Sequence, residues 1–566
     1  MNGAEALIRG MEKEGVKHIF GILGGAILDV YDVLYDKTEI NHLLCRHEQV
    51  AAYAANGYTQ VTGKVGTCMA TSGPGACNLV TGIADAMIDS RAVVAITGQV
   101  PTNIIGADGF QEADIVGITM PITKHNYLVE KVSEVPKVVK EAYYLANTGR
   151  PGPIVIDLPK DIQRAELKEF NYPKTISFES YNPTYKPHPR QIQLAVKELM
   201  NAQNPMIIAG GGVIISNGSS ELVQFAELLG VPVGTTSMGK GCIPEDHPLA
   251  LGMVGMHGNK WANLAIQNSD AILAIGTRFS DRITGNVQHF APNAKLIHAD
   301  IDPSEIGKNV RVNIPIVGDA RMVMSDMLAL AKEAAKKDAA RLNKHTEWGK
   351  KLEQWKKEFH QETCFDCVPI KPQRIIHEVQ KIIDKDSKKT IITTEVGRNQ
   401  LWSFHYMNIR HPRNWVTSGG LGCMGAGFPL ALGAQIARPD CRVLNMAGDG
   451  SFQMTMQDLA TCVTYNAPVV NVIFDDASLG NVRMWQRLFY NARYSYTDLP
   501  NNPDFEKIAQ AYKCWGKRIE RPGEIAESLQ EALKSGKPAI LDITVDRDET
   551  VYPMVPPGGI LHKMLE

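Results

Sequence analysis

The strongest chemical signal in this chain is a set of acidic residues placed where apolar runs end. In AGDGSFQM, Asp449 stands between Gly448 and Gly450, directly after the apolar run RVLNMAG at 442–448. Open α/β folds bind ligands outside the carboxyl ends of parallel strands. A glycine on each side of the acid lets backbone approach a ligand, and a following helix start favours an anion. An Asp there suits a hard divalent cation held against phosphate oxygens. An ordinary Asp-Gly turn is the competing reading. The next apolar run, VVNVIFD at 469–475, ends in Asp475-Asp476. Asp449 and Asp476 are therefore expected to share one ion, with Ser478 or its carbonyl close by. Two carboxylates plus phosphate oxygens suit octahedral Mg²⁺.

Other candidates are weaker on their own. Glycine-rich turns occur at Gly21, Gly24 and Gly25, at Ser72 to Gly75, and at Gly210, Gly211 and Gly212. None fits a Walker phosphate loop or the full dinucleotide fingerprint. Glu48, in CRHEQV, reads as a capping or surface glutamate unless an apolar pocket encloses it. With neither a GxSxG elbow nor an HExxH pair in the chain, triad and zinc hydrolysis fit poorly. The ten cysteines are scattered, with one CxxC at Cys364 to Cys367. Without a second pair this is weak support for zinc or redox chemistry, and reduced thiols are expected.

The elements that must position these residues read as α/β. The 566 residues are 44% apolar and 21% charged, enough to build several cores and unlike a disordered chain. Short apolar runs at 65–70, 92–97 and 153–158 alternate with helical spacing, the pattern of strands buried on both faces of a parallel sheet. The same pattern returns at 205–213, 271–279 and 294–301, and again at 390–395, 442–448, 469–475 and 539–545. Three consecutive α/β domains are expected, over 1–165, 190–335 and 365–566. A Pro- and Tyr-rich connection, 166–190, joins the first two. The charged stretch Leu328 to Phe359 reads as a solvated helix pair or linker. No strong internal repeat is visible.

Lys plus Arg is 59 and Asp plus Glu is 61, a net charge of -2, and no basic run points to nucleic acid. The first residues lack the pattern of a signal peptide, and no apolar stretch is long enough to cross a bilayer. A cytoplasmic location is expected, or an organellar one after removal of a transit peptide.

Ordered motifs along almost the whole chain carry a resemblance. They include RHEQ at 46–49, SGPGACNLVTG at 72–82, ITGQVP at 96–101, GFQE at 109–112 and GRPGPIVIDLPKDIQ at 149–163. LGMVGMHG at 251–258, WVTSGGLGCMGAGFP at 415–429, GDGSFQM at 448–454 and MWQRLFY at 484–490 complete the series. The sequence resembles the catalytic subunits of the acetolactate synthase (acetohydroxyacid synthase) family of thiamine diphosphate (ThDP) enzymes. The resemblance implies a first domain that binds the pyrimidine end of ThDP and a third that binds its diphosphate. It implies FAD in the middle domain, and a homodimer, or a tetramer built from it, with active sites at the interface. A small regulatory subunit is a further implied partner. The implied reaction decarboxylates pyruvate and joins the two-carbon unit to pyruvate or 2-ketobutyrate. Another ThDP-dependent 2-keto acid carboligase or decarboxylase is the competing activity.

By the same resemblance, Glu48 touches the aminopyrimidine ring and promotes loss of the thiazolium C2 proton, with Gly25 and Gln111 beside it. Phe110, Lys160, Val482 and Trp485 shape the substrate pocket, and Trp485 favours 2-ketobutyrate. Met424, Gly422, Gly448, Gly450 and Ser451 hold ThDP, and Asp449, Asp476 and Ser478 hold Mg²⁺. Arg150, Gly210, Gly211, Gly212, Met256, His257, Gly276, Arg278, Arg282, Asp300 and Asp319 hold FAD, with a diphosphate expected across the three consecutive amides. The chain departs from the family pattern at several places. Asp476 replaces an Asn and Ser478 a His, while Arg398-Asn399 replaces Gln-His. Ile22-Leu23, Asn103 and Asn481 are further departures. The extra carboxylate at 476 is expected to add one negative charge beside the diphosphate.

Overall fold

The computed structural model describes residues 1–36, 38–337, 345–359 and 363–566. It contains three sheets, each of six strands, all paired in parallel. From edge to edge the first runs Asn41–Leu44, His18–Gly21, Gly66–Ala70, Val93–Gln99, Ile154–Pro159, His125–Leu128. The central strands Gly66–Ala70 and Val93–Gln99 are buried throughout, as their mostly apolar character favours. The second sheet runs Ile314–Val317, Lys295–Asp300, Ala271–Ile275, Pro205–Ala209, Val233–Thr235, Ala250–Met253. The third runs Trp415–Thr417, Thr390–Thr394, Arg442–Gly448, Val470–Asp475, Ala539–Thr544, Trp515–Ile519.

The first and third sheets share one strand order, in which the direction of strand succession reverses between their second and third strands. The second sheet reverses between Pro205–Ala209 and Ala271–Ile275. At such switch points the loops leave in opposite directions and open a crevice. Each switch point here carries glycine-rich turns: Gly21 to Gly25 with Ser72 to Gly75, Gly210 to Gly212 with Gly276, and Gly397 with Gly448 to Gly450.

The helix Glu48–Thr62 of the first unit lies against the helix Gly427–Ala437 of the third, in one continuous core that includes Tyr53, Phe428 and Phe452. The stretch after Arg164 is irregular chain until the helix Pro189–Asn201. It is pinned by the Tyr181 hydroxyl donating to the Thr148 carbonyl at 2.6 Å. The charged stretch forms parts of two helices, Ala320–Lys337 and Thr346–Glu358, and its residues 338–344 lie outside the described residues. The second is not wholly solvated, since Trp348 and Leu352 are buried and the Trp348 indole donates to Pro205.

One cysteine expectation is corrected. Cys364 and Cys367 are joined as a disulfide instead of standing as reduced thiols, while the other eight cysteines are free. Among the described residues no helix is long and apolar enough to cross a membrane.

Candidate active site

The third sheet's switch point builds a narrow crevice of about 60 Å³. Met424, Gly448, Asp449, Gly450, Ser451, Asp476, Ser478 and Val482 all line it, although they come from segments far apart in sequence. The strand Arg442–Gly448 delivers Asp449 as the first residue of a short helix, and the strand Val470–Asp475 delivers Asp476 just past its end. Asp449 is 2% exposed. Burial, with Asp476 and Asp475 nearby, pushes its carboxyl up to about 8. Its Oδ2 accepts from the Asn502 amide at 2.8 Å, and the same amide reaches Asp475 at 2.9 Å. A buried acid with two more acids beside it is a poor resting arrangement, and a divalent cation would relieve it.

Glu395 ties this crevice to the Met424 loop. It is fully buried and accepts from the Gly425 amide at 2.9 Å, the Phe428 amide at 2.8 Å and the Ser451 hydroxyl at 2.7 Å. Burial moves its carboxyl upward, against the pull of these donors. Neither Glu395 nor Asn502 was expected from the sequence. Glu395 ends the run at 390–395, which could have marked it, whereas the NNP turn around Asn502 gives no such signal.

The charge at Asp476 differs from expectation. The Arg398 guanidinium forms an ion pair with Asp476, and both side chains are buried. The carboxylate therefore adds no net negative charge to the crevice. The Ser478 hydroxyl donates to the other Asp476 oxygen at 2.6 Å, so its side chain is already engaged. Among the described residues no group of three or more His, Cys, Asp or Glu is placed to hold a metal. The two carboxylates and the open space beside Gly448 and Gly450 fit a cation that takes its remaining oxygens from a diphosphate and water.

The first sheet's switch point gathers a second group around the turn Thr71 to Gly75. Glu48 opens the helix Glu48–Thr62 and is 9% exposed, so it is enclosed, while His47 makes the cap by accepting from the Gln49 amide. The Glu48 carboxylate accepts from the Asn78 amide at 2.9 Å, and a Cβ on Gly75 would lie 3.3 Å from its other oxygen. Gly73, at φ +53°, lies so close to Gln111 that a Cβ would meet the Gln111 carbonyl at 2.5 Å. Gly25 faces open space, next to Ala26, whose amide donates to Thr71. Glu48, Gly25 and Gln111 are thus brought together, with Asn78 as an unforeseen partner. Phe110 is 90% exposed beside them, and Lys160 opens the helix Lys160–Arg164. No hydrogen bond among the described residues joins Glu48 to Asp449 or Asp476.

The second sheet's switch point opens into a cavity of about 860 Å³. Its walls include Arg150, Gly211, Gly212, Met256, His257 and Gly276. Arg278, Arg282, Asp300 and Asp319 also line it, Gly210 alone of the expected set does not, and Gly422, Asn481 and Trp485 line the same cavity from the third unit. The amides of Gly210 and Gly212 donate to the carbonyls of Ile275 and Gly276 at 2.9 and 3.0 Å. The contact expected across three amides therefore narrows to Gly211. A Cβ on Gly210 would meet the Gly276 carbonyl at 2.2 Å, so that glycine is required by close packing of the two turns. Arg150 is tied to Asp302 at 3.2 Å and Glu305 at 2.8 Å. Burial pushes Asp300 up to about 6 and His257 down to about 3.

This arrangement defines a class: three parallel α/β units whose first and third switch points carry a buried glutamate and a Gly-Asp-Gly acid. Family models agree. The thiamine pyrophosphate enzyme N-terminal TPP binding domain matches residues 1–118, the central domain 192–327, and the C-terminal TPP binding domain 395–543. Relatives extend the match along the whole chain. A "Probable acetolactate synthase large subunit" of Methanocaldococcus jannaschii is 51% identical, covering 100% of this chain and 95% of the relative. The acetolactate synthase large subunit of Corynebacterium glutamicum is 46% identical, over 99% of this chain and 89% of its own. That of Haemophilus influenzae is 43% identical over 100% and 98%. The chain belongs to the acetolactate synthase large-subunit family of thiamine pyrophosphate enzymes.

Proposed function

We propose that this chain is the catalytic subunit of an acetolactate synthase, converting two 2-keto acids into one acetohydroxy acid and CO₂. The carrying observation is the 51% identity, over its full length, to a relative of that name. Bound ThDP would supply a thiazolium that adds to the keto carbon of pyruvate and takes up the electrons freed with CO₂. Asp449 and Asp476 would hold Mg²⁺ against its diphosphate, with Gly448, Gly450 and Ser451 around it and Met424 in the same crevice. Glu48, oriented by Asn78, would hold a proton against the pyrimidine ring. Gln111, Gly25, Phe110, Lys160, Val482 and Trp485 would orient the keto acids and exclude water.

FAD is the proposed occupant of the larger cavity, whose volume and basic residues Arg278 and Arg282 suit a dinucleotide. Two copies of the chain would complete each active site. The exposed apolar side chains Leu23 and Phe110, next in sequence to the residues around Glu48, and Val482, which lines the crevice, support this. The relatives' names as large subunits support a small regulatory partner. The domain bounds 1–165, 190–335 and 365–566 and a cytoplasmic location belong to the same reading.

The test is product analysis with pyruvate alone and then with 2-ketobutyrate added. Acetolactate, joined by acetohydroxybutyrate in the mixture, is expected. Acetaldehyde or acetate as the main product would replace this reading with a decarboxylase or an oxidase.

A further inference from the structure

We propose that Arg398 is a positioning residue of the diphosphate and cation site, holding and neutralising Asp476 so that Asp449 is left as the uncompensated acid there. The inference rests on the reading of the crevice given above. Arg398 lies at the start of the helix Arg398–Tyr406, just past the strand Thr390–Thr394, and lines the crevice with Gly448 to Ser451. Its side chain is only 3% exposed and that of Asp476 only 7%. One terminal nitrogen, Nη2, donates to Asp476, while Nη1 donates to the carbonyls of Arg547 at 3.0 Å and Glu549 at 2.6 Å. The guanidinium also lies 5.3 Å from the centre of the Trp402 ring. Its Nε is buried and has no partner.

Space is reserved for the pair. A Cβ on Gly480 would lie 2.5 Å from Arg398 Nε, 2.6 Å from Nη2 and 2.6 Å from the Asp476 carboxylate. A larger residue at 480 would have to displace one or both groups. Neighbouring charge follows the same logic. Asp475 faces Arg518 at 3.8 Å, and Asp476 faces Arg398. Of the three acids around the crevice, Asp449 has the Asn502 amide in place of a cation. A diphosphate is itself anionic, and three uncompensated carboxylates beside it would repel it. Arg398 removes one of those charges and links the 476–480 turn to the chain after the last strand.

The pair predicts reciprocal rescue. In cofactor-stripped full-length protein, Arg398→Gln and Asp476→Asn are each expected to weaken ThDP binding at saturating Mg²⁺ by about tenfold or more, the scale of losing one partner of a buried ion pair. The double variant Arg398→Gln/Asp476→Asn, with neutral partners, is expected to return to within about threefold of the wild type. Quenching of tryptophan fluorescence measures ThDP binding. Titration with Mn²⁺ followed by electron paramagnetic resonance measures the cation and is expected to show the same pattern. Melting temperature separates a purely structural pair. If the single variants melt earlier but bind ThDP and Mn²⁺ like the wild type, the proposal fails. It fails equally if the losses in the double variant simply add. A wild-type protein that binds neither probe would sink the reading of the crevice itself, and the proposal with it. Should Arg398→Gln prove insoluble, Arg398→Lys keeps the charge without the paired carbonyl contacts. It is expected to fall between wild type and tenfold weaker, and wild-type binding by it together with unimpaired Asp476→Asn would also overturn the proposal.

Discussion

Gly57 lies directly against the backbone of Leu430: a Cβ added to it would sit 2.2 Å from the Leu430 carbonyl oxygen. The contact is nearly reciprocal, since a Cβ on Gly433 would sit 1.9 Å from the Ala54 carbonyl oxygen. These two glycines let the helices Glu48–Thr62 and Gly427–Ala437 meet backbone to backbone, and so join the unit carrying Glu48 to the one carrying Asp449. Carbonyl groups cannot rotate away as side-chain tips can. Gly57→Ala is expected to destabilise the protein by about 1–3 kcal/mol through overpacking, despite the better helix propensity of alanine. Thermal unfolding measures it. Gly523→Ala is the control, because a Cβ there meets open space. Equal melting of the two variants would contradict the close helix contact.

The three α/β units and the acids at their strand ends were legible in sequence because buried parallel strands are unbroken apolar runs. Asp449 stood out in Gly-Asp-Gly after such a run, but an ordinary turn competed until the next run ended in Asp475-Asp476. The shared strand order of the first and third sheets was not legible, since topology is carried by which strands pair and unrelated residues satisfy it equally well. Arg398 and Asp476 were each read as isolated departures. They are 78 positions apart, and no local pattern reveals that they touch. The requirement for glycine at 57 and 433 is likewise set by a neighbouring helix, beyond the reach of any periodicity.

Glu48 provides a direct test of cofactor activation. It is enclosed and held by Asn78, and the substitution Glu48→Gln preserves its shape while removing the ionisable group. The variant is expected to fold and bind ThDP but to exchange the cofactor C2 proton at least about 100-fold more slowly, the lower range for losing a positioned acid or base. Proton exchange followed by NMR in deuterated buffer reads this separately from turnover. An unchanged exchange rate would remove Glu48 from that role.

Asp157 sets a pH dependence on stability. It is 1% exposed, between the Thr97 hydroxyl at 2.7 Å and the Gln99 amide at 2.9 Å. Burial raises its carboxyl from 3.8 to about 7, more than these donors lower it. The folded state therefore disfavours ionisation that the unfolded chain undergoes freely. From this group, stability is highest below the unfolded value, falls as pH rises toward about 7, and levels off above it. Asp157→Asn removes the titration, so its melting temperature relative to wild type is expected to rise between pH 5 and pH 8. A constant difference across that window would show that Asp157 ionises without penalty.

The flavin proposal is tested by colour and occupancy. Arg278 lines the large cavity close to Gly420, where a Cβ would lie 3.3 Å from its guanidinium. Purified protein is expected to carry flavin absorbance that persists, unreduced, during acetolactate formation. Arg278→Gln is expected to lower flavin occupancy at least about threefold, through loss of a charge-assisted contact. A colourless and fully active wild-type protein would show that the cavity holds something else.

With the proposed function, Trp485 is expected to bias the choice of acceptor. It lies on the helix Gly480–Phe489, half-buried, packed on the core of the third unit while lining the large cavity near Asn481 and Gly422. The two acceptors, pyruvate and 2-ketobutyrate, differ by one methylene. In a hydrophobic pocket such a group is worth ~1–3 kcal/mol, or about a 10–200-fold preference. A large indole can contact that methylene, and leucine at 485 loses much of the contact. Trp485→Leu is therefore expected to lower the ratio of acetohydroxybutyrate to acetolactate at equal acceptor concentrations, with pyruvate decarboxylation largely kept. If the indole acts only as packing for the core, both products fall together and the melting temperature drops. Asn481 brings an amide into the same wall, so a polar contact to the keto acid body would persist in the variant and hold up the shared part of the reaction. A competition assay with both acceptors present measures the ratio directly, and an unchanged ratio would assign acceptor choice to other residues.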